Sequence, residues 1–168
     1  MTDDQAGSQP IRRVVTGHGQ DQIAKVIFDS AAENVKRPVS GISSTTLWTS
    51  TTTPADISIG EKVEDFGNLN VPLAPPENGT RFAIVEFLPG NGAFMHRTET
   101  LDYVIVLSGE LEMQMDNSTV NLKAGDVVVQ RGTNHSWSNK SAQPARIGIV
   151  LVDGKSLGIG KPLPRASV

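Results

Sequence analysis

Histidine, carboxylate and hydroxyl side chains are the groups through which this sequence can do chemistry. The chain has no cysteine, so disulfides, thiolate metal ligands and thiol nucleophiles are all excluded. It has three histidines, His18, His96 and His135. His18 lies between two glycines in a run of turn formers, where a histidine is ordinarily solvated. His96 and His135 are therefore the candidates for base catalysis or metal binding.

The segments around these two histidines have strand character, so their side chains can be assigned to faces. Side chains alternate across a strand, which places His96 and Thr98 on one face. The same rule places His135 and Trp137 together. Parity alone does not say whether the two faces meet.

Two longer runs of the sequence answer that question through a resemblance. The run 90–109 carries Gly90, His96 and Gly109 at the spacing of the first cupin motif, which reads Gly, five residues, His, one residue, His, three or four residues, Glu, six residues, Gly. The run 125–139 resembles the second motif, with His135 at its histidine position. The resemblance covers about residues 80–152. Within it, the sequence is similar to small single-domain cupins that accompany secondary-metabolite pathways.

The sequence departs from these motifs at three positions. Thr98 stands where the second histidine is expected, Asp102 replaces the glutamate, and Gln130 replaces the usual proline. His96 and His135 match the motif histidines unchanged. The resemblance implies that His96, Thr98, Asp102 and His135 line one pocket inside a barrel.

A divalent metal such as Fe, Mn, Ni or Zn is one occupant that the resemblance implies, with His96, His135 and Asp102 as ligands. Two imidazoles and a carboxylate are a sufficient set of ligand types. Aspartate, however, is one methylene shorter than the glutamate it replaces, and a neutral threonine hydroxyl is a weak ligand. Metal binding and a metal-free pocket both remain open from the sequence.

Without a metal the same side chains predict proton-transfer chemistry. His96 or His135 can act as a general base near neutral pH, with Asp102 orienting an imidazole and Thr98 donating a hydrogen bond to a substrate carbonyl. The substrate-binding candidates are the apolar side chains of Trp137, Met113 and Met115. Core packing is the competing role for these three residues.

The strand pattern predicts an all-β fold. Short β-rich runs separated by turn formers follow one another from Arg81 to Val152, including one over 93–98, at the spacing of a sandwich or barrel. With the resemblance this predicts a single-domain cupin β-barrel, a double-stranded β-helix or jelly roll. Residues 80–168 would form the barrel core and a C-terminal tail.

Residues 1–79 are predicted to form an extended N-terminal arm with edge strands. A hairpin is expected over residues 11–28, and the segment from Ser30 to Pro76 is rich in Pro, Ser and Thr. Leu47 and Trp48 in this arm need burial, either against the barrel or across a dimer. We therefore expect a homodimer.

Composition limits the partners. The net charge is −3 and the basic residues are scattered, which disfavours nucleic acid as a partner. No apolar run approaches the ~20 residues that a membrane helix needs, and the N-terminus lacks an apolar targeting core. The expectation is a cytoplasmic protein with a small-molecule substrate and no membrane partner.

Three functions follow from these features. The first is an enzyme of secondary or catabolic metabolism that dehydrates, isomerises or cyclises an oxygenated, polyketide-like compound by proton transfer. The second is a metal-dependent cupin dioxygenase, and the third is a non-catalytic ligand-binding protein. The sequence alone does not decide between them.

Overall fold

A computed structural model describes residues 10–60 and 63–167 and is built almost entirely of strands. A single short 3-10 turn, Phe66–Asn68, is the helical element among these residues. No helix in this part of the chain has the length and apolarity to cross a membrane. The strands, in chain order, are β1 Arg12–His18, β2 Ala24–Ala31, β3 Val35–Lys36, β4 Ile42–Ser50, β5 Thr80–Phe87, β6 Thr100–Ser108, β7 Glu110–Met115, β8 Thr119–Lys123, β9 Val127–Arg131, β10 His135–Ser138 and β11 Ala145–Asp153.

The strands form two packed sheets and a separate hairpin, all with antiparallel pairing. The larger sheet has six strands in the order β3-β4-β5-β11-β6-β9, and the smaller has three in the order β10-β7-β8. Strands β1 and β2 form the predicted hairpin, with exposed His18 as the last residue of β1. Buried apolar side chains from both sheets meet in one core. The prediction of an all-β jelly roll is confirmed.

The N-terminal arm contributes an inner strand, where only edge strands were predicted. β4 lies between β3 and β5 in the larger sheet, so both of its sides are paired. Leu47 is buried within the single chain, and the Trp48 ring contacts the Phe66 ring edge-on at 5.8 Å. The need to bury Leu47 is therefore met without a second chain, which removes that part of the reason for expecting a dimer.

Cross-strand register places several polar residues in one row on the inner face of the larger sheet. Asp102 of β6 is opposite Gln130 of β9 on one side and opposite Leu151 of β11 on the other. Leu151 is in turn opposite Arg81 of β5. Alternation along β5, β6 and β11 then places buried apolar residues above this row. The row brings two charged side chains into the interior.

The predicted strand over residues 93–98 is wrong, because the chain there makes only one paired contact. His96 forms an isolated bridge with His135, with hydrogen bonds of 2.9 Å from the His96 N–H and 2.8 Å from the His135 N–H. The residues on both sides of His96 are outside any ladder. Gly90, which precedes this segment, adopts a positive φ of 68° that turns the chain away from β5.

The outside of the larger sheet carries an exposed apolar surface. It is formed by alternate residues of β6 and β9 that point away from the core. We call it the outer apolar face, and it consists of Tyr103, Ile105, Leu107, Val127 and Val129, which are between 48% and 64% exposed. A contiguous apolar surface of this kind marks an interaction surface more often than a solvent-facing one.

Candidate functional site

A cavity of about 390 Å³ lies between the two sheets, within the range of small-molecule pockets. The arm and the C-terminal tail help to build it, because Pro38, Leu73 and Leu163 contribute to its walls. Its lining is mainly apolar, with five polar side chains. The polar members are Ser44, His96, Thr98, Asp102 and His135, and the apolar ones are Pro38, Val39, Ile42, Leu73, Val85, Phe87, Phe94, Trp137, Ile147, Ile149, Leu151 and Leu163.

The two predicted histidines are direct neighbours in this cavity. Their backbone bridge holds the two ring centroids 4.4 Å apart with an angle of 52° between the planes. Phe94 stacks on His96 with a centroid distance of 4.3 Å, and Trp137 contacts His135 edge-on at 6.2 Å. Aromatic contacts on both sides fix the rings in place and shield them from water.

Backbone carbonyls fix the tautomer of each imidazole. His96 Nδ1 is 3.2 Å from the carbonyl oxygen of Phe94, and His135 Nδ1 is 2.9 Å from that of Thr133. A carbonyl can only accept, so each Nδ1 carries the proton and donates it. The Nε2 atom of each ring is then left with its lone pair, which is the form a general base requires.

Burial keeps both imidazoles neutral. It lowers the pKa of His96 below its usual range, although the hydrogen bond to Phe94 opposes the change. Burial lowers the pKa of His135 to about 4, with the charge of a protonated His96 as a smaller cause in the same direction. At neutral pH the pair therefore offers two unprotonated Nε2 atoms.

Asp102 is buried beside the histidines and is held by two hydrogen bonds. Thr100 Oγ1 donates to Asp102 Oδ1 at 2.5 Å, and Gln130 Nε2 donates to Asp102 Oδ2 at 2.8 Å. Burial raises the pKa of Asp102 to about 6, while the hydrogen bonds from Thr100 and Gln130 oppose the rise. Asp102 can therefore gain or lose a proton close to neutral pH.

A continuous chain of polar contacts connects Thr98 to His135. Thr98 Oγ1 is 2.6 Å from Thr100 Oγ1, which contacts Asp102 as described. Gln130 Nε2 is 3.4 Å from His135 Nε2, so its amide group bridges the carboxylate and the imidazole. The predicted orientation of an imidazole by Asp102 is thus indirect. We call these five residues the polar chain.

The orientation of the Gln130 amide leaves one buried polar atom without a hydrogen bond in the described part of the chain. Its Oε1 is buried and has no hydrogen-bond partner among the described residues. Reversing the amide would place that oxygen against the Asp102 carboxylate, where a donor is needed. The demands of Asp102 and His135 for a donor therefore decide how Gln130 lies.

The residues present do not fit the metal that the resemblance implies. Both carboxylate oxygens of Asp102 are engaged within the polar chain. Thr98, at the position of a further ligand, is engaged with Thr100. Among residues 10–60 and 63–167, no group of three or more His, Cys, Asp and Glu side chains is arranged to hold a metal ion. Two imidazoles alone do not complete a protein metal site.

The predicted substrate-binding residues divide into two groups. Trp137 lines the cavity beside His135. Met113 is fully buried in the core, and Met115 packs against the same core, but neither contributes to the cavity wall. Both methionines lie opposite β10 residues in the ladder, Met113 opposite Trp137 and Met115 opposite His135. The structure therefore gives them a packing position, and the substrate-binding prediction for them is not supported.

Three residues of the site escaped the sequence prediction. Phe94 stacks on His96, Thr100 holds Asp102, and Gln130 bridges Asp102 and His135. One signal for Gln130 was available, because it is an amide at a motif position that usually holds proline. Phe94 and Thr100 share the strand parity of His96, which was a weaker signal.

The fold and the cavity together define a class: an all-β jelly roll with a histidine-lined small-molecule pocket. The model of the cupin domain family matches residues 83–152, so this part of the chain is similar to cupin domains. The cupin domain of Schizosaccharomyces pombe Cnp3 is similar in fold, with a TM-score of 0.50 and 12% identity over 84% of this chain and 87% of that one.

Sequence relatives occur in biosynthetic gene clusters. Phomopsin biosynthesis cluster protein C' of Diaporthe leptostromiformis is 37% identical over 123 residues, covering 66% of this chain and 65% of that protein. The chain therefore spans just under two thirds of that relative. The cupin-domain-containing oxidoreductase fogC of Aspergillus ruber is 26% identical over 157 residues, covering 88% of this chain and 75% of that protein.

Proposed function

We propose that this cupin catalyses proton transfer on an oxygenated, partly apolar intermediate of secondary metabolism, with dehydration, isomerisation or cyclisation as the result. The observation that carries the proposal is the pair of neighbouring, neutral imidazoles with unprotonated Nε2 atoms in an apolar cavity. The relatives in phomopsin and oryzines clusters support the metabolic setting. Cytoplasmic location and a small-molecule partner belong to the same proposal.

His96 is the base in this proposal. Its Nε2 has no hydrogen-bond partner among the described residues, whereas His135 Nε2 receives the Gln130 amide. His96 Nε2 takes a proton from a carbon next to a substrate carbonyl, and the electrons of the broken C–H bond move towards the carbonyl oxygen. Return of that proton to another carbon completes an isomerisation, and its delivery to a departing hydroxyl completes a dehydration.

The polar chain supplies the complementary acid. When Asp102 is protonated, as its raised pKa of about 6 allows, the two hydroxyl hydrogen bonds reverse. Asp102 Oδ1 then donates to Thr100 Oγ1, Thr100 donates to Thr98, and the Thr98 hydroxyl on the cavity wall has its own proton available. Thr98 then donates to the substrate oxygen as negative charge develops there. His135 and its Gln130 partner keep a second neutral imidazole beside the base, which disfavours protonation of both rings at once.

A Kemp elimination tests the base without knowledge of the natural substrate. The flat probe 5-nitrobenzisoxazole loses its C3 proton to a base, its N–O bond breaks, and a coloured phenolate forms. Wild-type protein should accelerate this reaction, and His96→Ala should lower kcat/KM by about a hundredfold, the usual contribution of a positioned base. His18→Ala, on the exposed hairpin, is the matched control and should leave the rate unchanged.

Two results would contradict the proposal. A His96→Ala/His135→Ala double variant that keeps the wild-type rate would show that the imidazoles do not act as bases. A wild-type rate no higher than that of the buffer alone would support the alternative of a non-catalytic ligand-binding protein. Circular dichroism of each variant separates loss of the base from loss of the fold.

Oxidation is a second candidate function, favoured by the printed name of the Aspergillus ruber relative, an oxidoreductase. Oxidation requires an electron acceptor, whereas proton transfer requires none. Turnover of a natural substrate under strictly anaerobic conditions, with no added metal or nicotinamide, distinguishes the two. Loss of all turnover under those conditions would favour the oxidoreductase.

A further inference from the structure

Arg81 is a buried cation that the proposed reaction does not use. It lies on the inner face of β5 and is 1% exposed. It belongs to the same inner row of the sheet as Asp102, but Leu151 stands between the two residues. No carboxylate lies within ion-pairing distance of Arg81 in the described part of the chain. A buried arginine without a carboxylate or other anion is uncommon.

Neutral hydroxyls are the partners that the guanidinium does have. Arg81 Nε is 3.2 Å from Thr46 Oγ1, and Arg81 Nη2 is 2.9 Å from Ser44 Oγ and 3.0 Å from Thr46 Oγ1. Arg81 Nη1 is buried and has no hydrogen-bond partner within the described residues. Two of the five N–H donors of the guanidinium are therefore unused.

The surroundings add positive charge and do not neutralise it. Lys36 lies close enough for the Arg81 charge to lower the pKa of Lys36, after burial as the larger cause. Lys36 Nζ donates to Asn70 Oδ1 and to the Val71 carbonyl, neither of which is an anion. Burial also lowers the pKa of Arg81 to about 10, which leaves it charged at neutral pH. This corner of the larger sheet is thus cationic.

Ser44 connects the cationic corner to the cavity. Its side chain is part of the cavity wall, and its oxygen accepts the Arg81 hydrogen bond. The Ser44 O–H has no acceptor of its own among the described residues, so it remains available to a ligand. Because the guanidinium lies directly behind it, that O–H is a charge-assisted donor.

From this arrangement we propose that the cavity binds a ligand carrying a carboxylate, which accepts a hydrogen bond from the Ser44 O–H. The Arg81 guanidinium lies behind Ser44, outside the cavity lining, and its charge stabilises the carboxylate through that hydroxyl. Ser44 lies on β4 in the larger sheet, whereas His135 begins β10 in the smaller sheet. The carboxylate and the reacting carbon of the ligand would then contact opposite sheets, with an apolar body between them. The inference rests on the proposed function in treating this cavity as the substrate pocket.

Cinnamate and cinnamamide provide a matched pair of probes, since they share an apolar body and differ in charge. An NMR titration at neutral pH should give at least tenfold tighter binding of cinnamate to the wild-type protein. Arg81→Met removes the charge and retains much of the side-chain volume, so it should abolish this preference without weakening cinnamamide binding. Ser44→Ala should reduce the preference severalfold. Arg12→Met loses the same charge on the exposed hairpin and should keep the preference.

Equal affinity of the wild-type protein for the two probes overturns the inference, because the Arg81 charge would then contribute nothing to the binding of an anion. Retention of the preference in folded Arg81→Met protein also overturns it. If Arg81→Met does not fold, the wild-type comparison and Ser44→Ala decide the outcome. His96→Ala separates this inference from the proposed function, because that variant should keep the cinnamate preference while losing the Kemp reaction.

Discussion

Replacing Asp102 by asparagine should change how the free energy of unfolding depends on pH. The pKa of Asp102 rises from 3.8 to about 6 on folding because the carboxylate is buried. Between these two values the unfolded chain loses its proton while the folded protein keeps it, so ionisation stabilises the unfolded state. At about 1.4 kcal/mol per pKa unit, Asp102 removes about 3 kcal/mol of stability as the pH rises through this window.

His135 acts in the opposite direction over nearly the same window. Its pKa falls from 6.5 to about 4 on folding, again because of burial. Below 6.5 the unfolded chain binds a proton that the folded protein does not accept, so stability is lost as the pH falls. The magnitude is again about 3 kcal/mol, and the two contributions nearly cancel in the wild-type protein.

Single substitutions should separate the contributions of Asp102 and His135 to the pH dependence of the free energy of unfolding. Asp102→Asn leaves the His135 contribution alone, so stability relative to wild type should increase by about 3 kcal/mol as the pH rises from about 4 to about 6. His135→Gln should give the opposite relative slope. Urea unfolding at several pH values, with the slope of each variant compared with wild type, measures both. Parallel curves for wild type and Asp102→Asn would refute the reasoning, because they would mean that Asp102 titrates alike in the folded and unfolded states.

The remaining predictions concern assembly, backbone geometry and metal. We expect a homodimer through the outer apolar face, and Ile105→Lys should yield a monomer in light scattering; a monomeric wild type would contradict this. Gly109→Ala should cost about 2 kcal/mol or more in urea unfolding, because Gly109 has a φ of 75° and an added Cβ would lie 2.7 Å from Ala145 Cα. Gly125→Ala, with a φ of 92° and open space around it, should cost less. Added zinc or nickel should not increase the Tm of wild type by more than it increases the Tm of His96→Ala, since a third ligand is absent from the described residues.

Much of the fold could be predicted from local patterns, and the failures have local causes too. Alternation and turn residues sufficed for most strands of the second half, because each of them pairs with neighbours over several residues. The segment over 93–98 also lies between turn residues and was predicted as a strand, but it pairs at His96 alone. Hydrophobic pattern predicts which face a residue occupies and does not predict how many ladder bonds its strand will make.

The inner position of β4 was missed for a different reason. Its inner face carries Ser44 and Thr46, so the segment has the polar composition of a loop or an edge. These hydroxyls are buried because they accept hydrogen bonds from Arg81 on the neighbouring strand. Inner strands are expected to carry apolar residues on their buried face, but a buried cation requires polar neighbours instead. That requirement can be recognised only once the register of β4 and β5 is known.

The three departures from the cupin motifs form one physical unit. Considered singly, Thr98, Asp102 and Gln130 each look like the loss of a motif feature. In the fold, Thr100 joins Thr98 to Asp102, and Gln130 meets Asp102 through the β6–β9 register, 28 residues along the chain. Gln130 can donate to Asp102 only because it is not proline, which has no side-chain donor.

This mutual dependence explains why neither imidazole is hydrogen-bonded to the Asp102 carboxylate. Buried polar groups must be paired, and a carboxylate left alone in this cavity would compete for a histidine N–H. Because Thr100 and Gln130 donate hydrogen bonds to both carboxylate oxygens of Asp102, the carboxylate does not hydrogen-bond directly to either imidazole. The Nδ1 protons of His96 and His135 therefore stay on backbone carbonyls, and the lone pair of His96 Nε2 stays uncommitted in the cavity. A glutamate at position 102 would extend one methylene further towards the rings, so the shorter side chain favours a free base over a metal ligand.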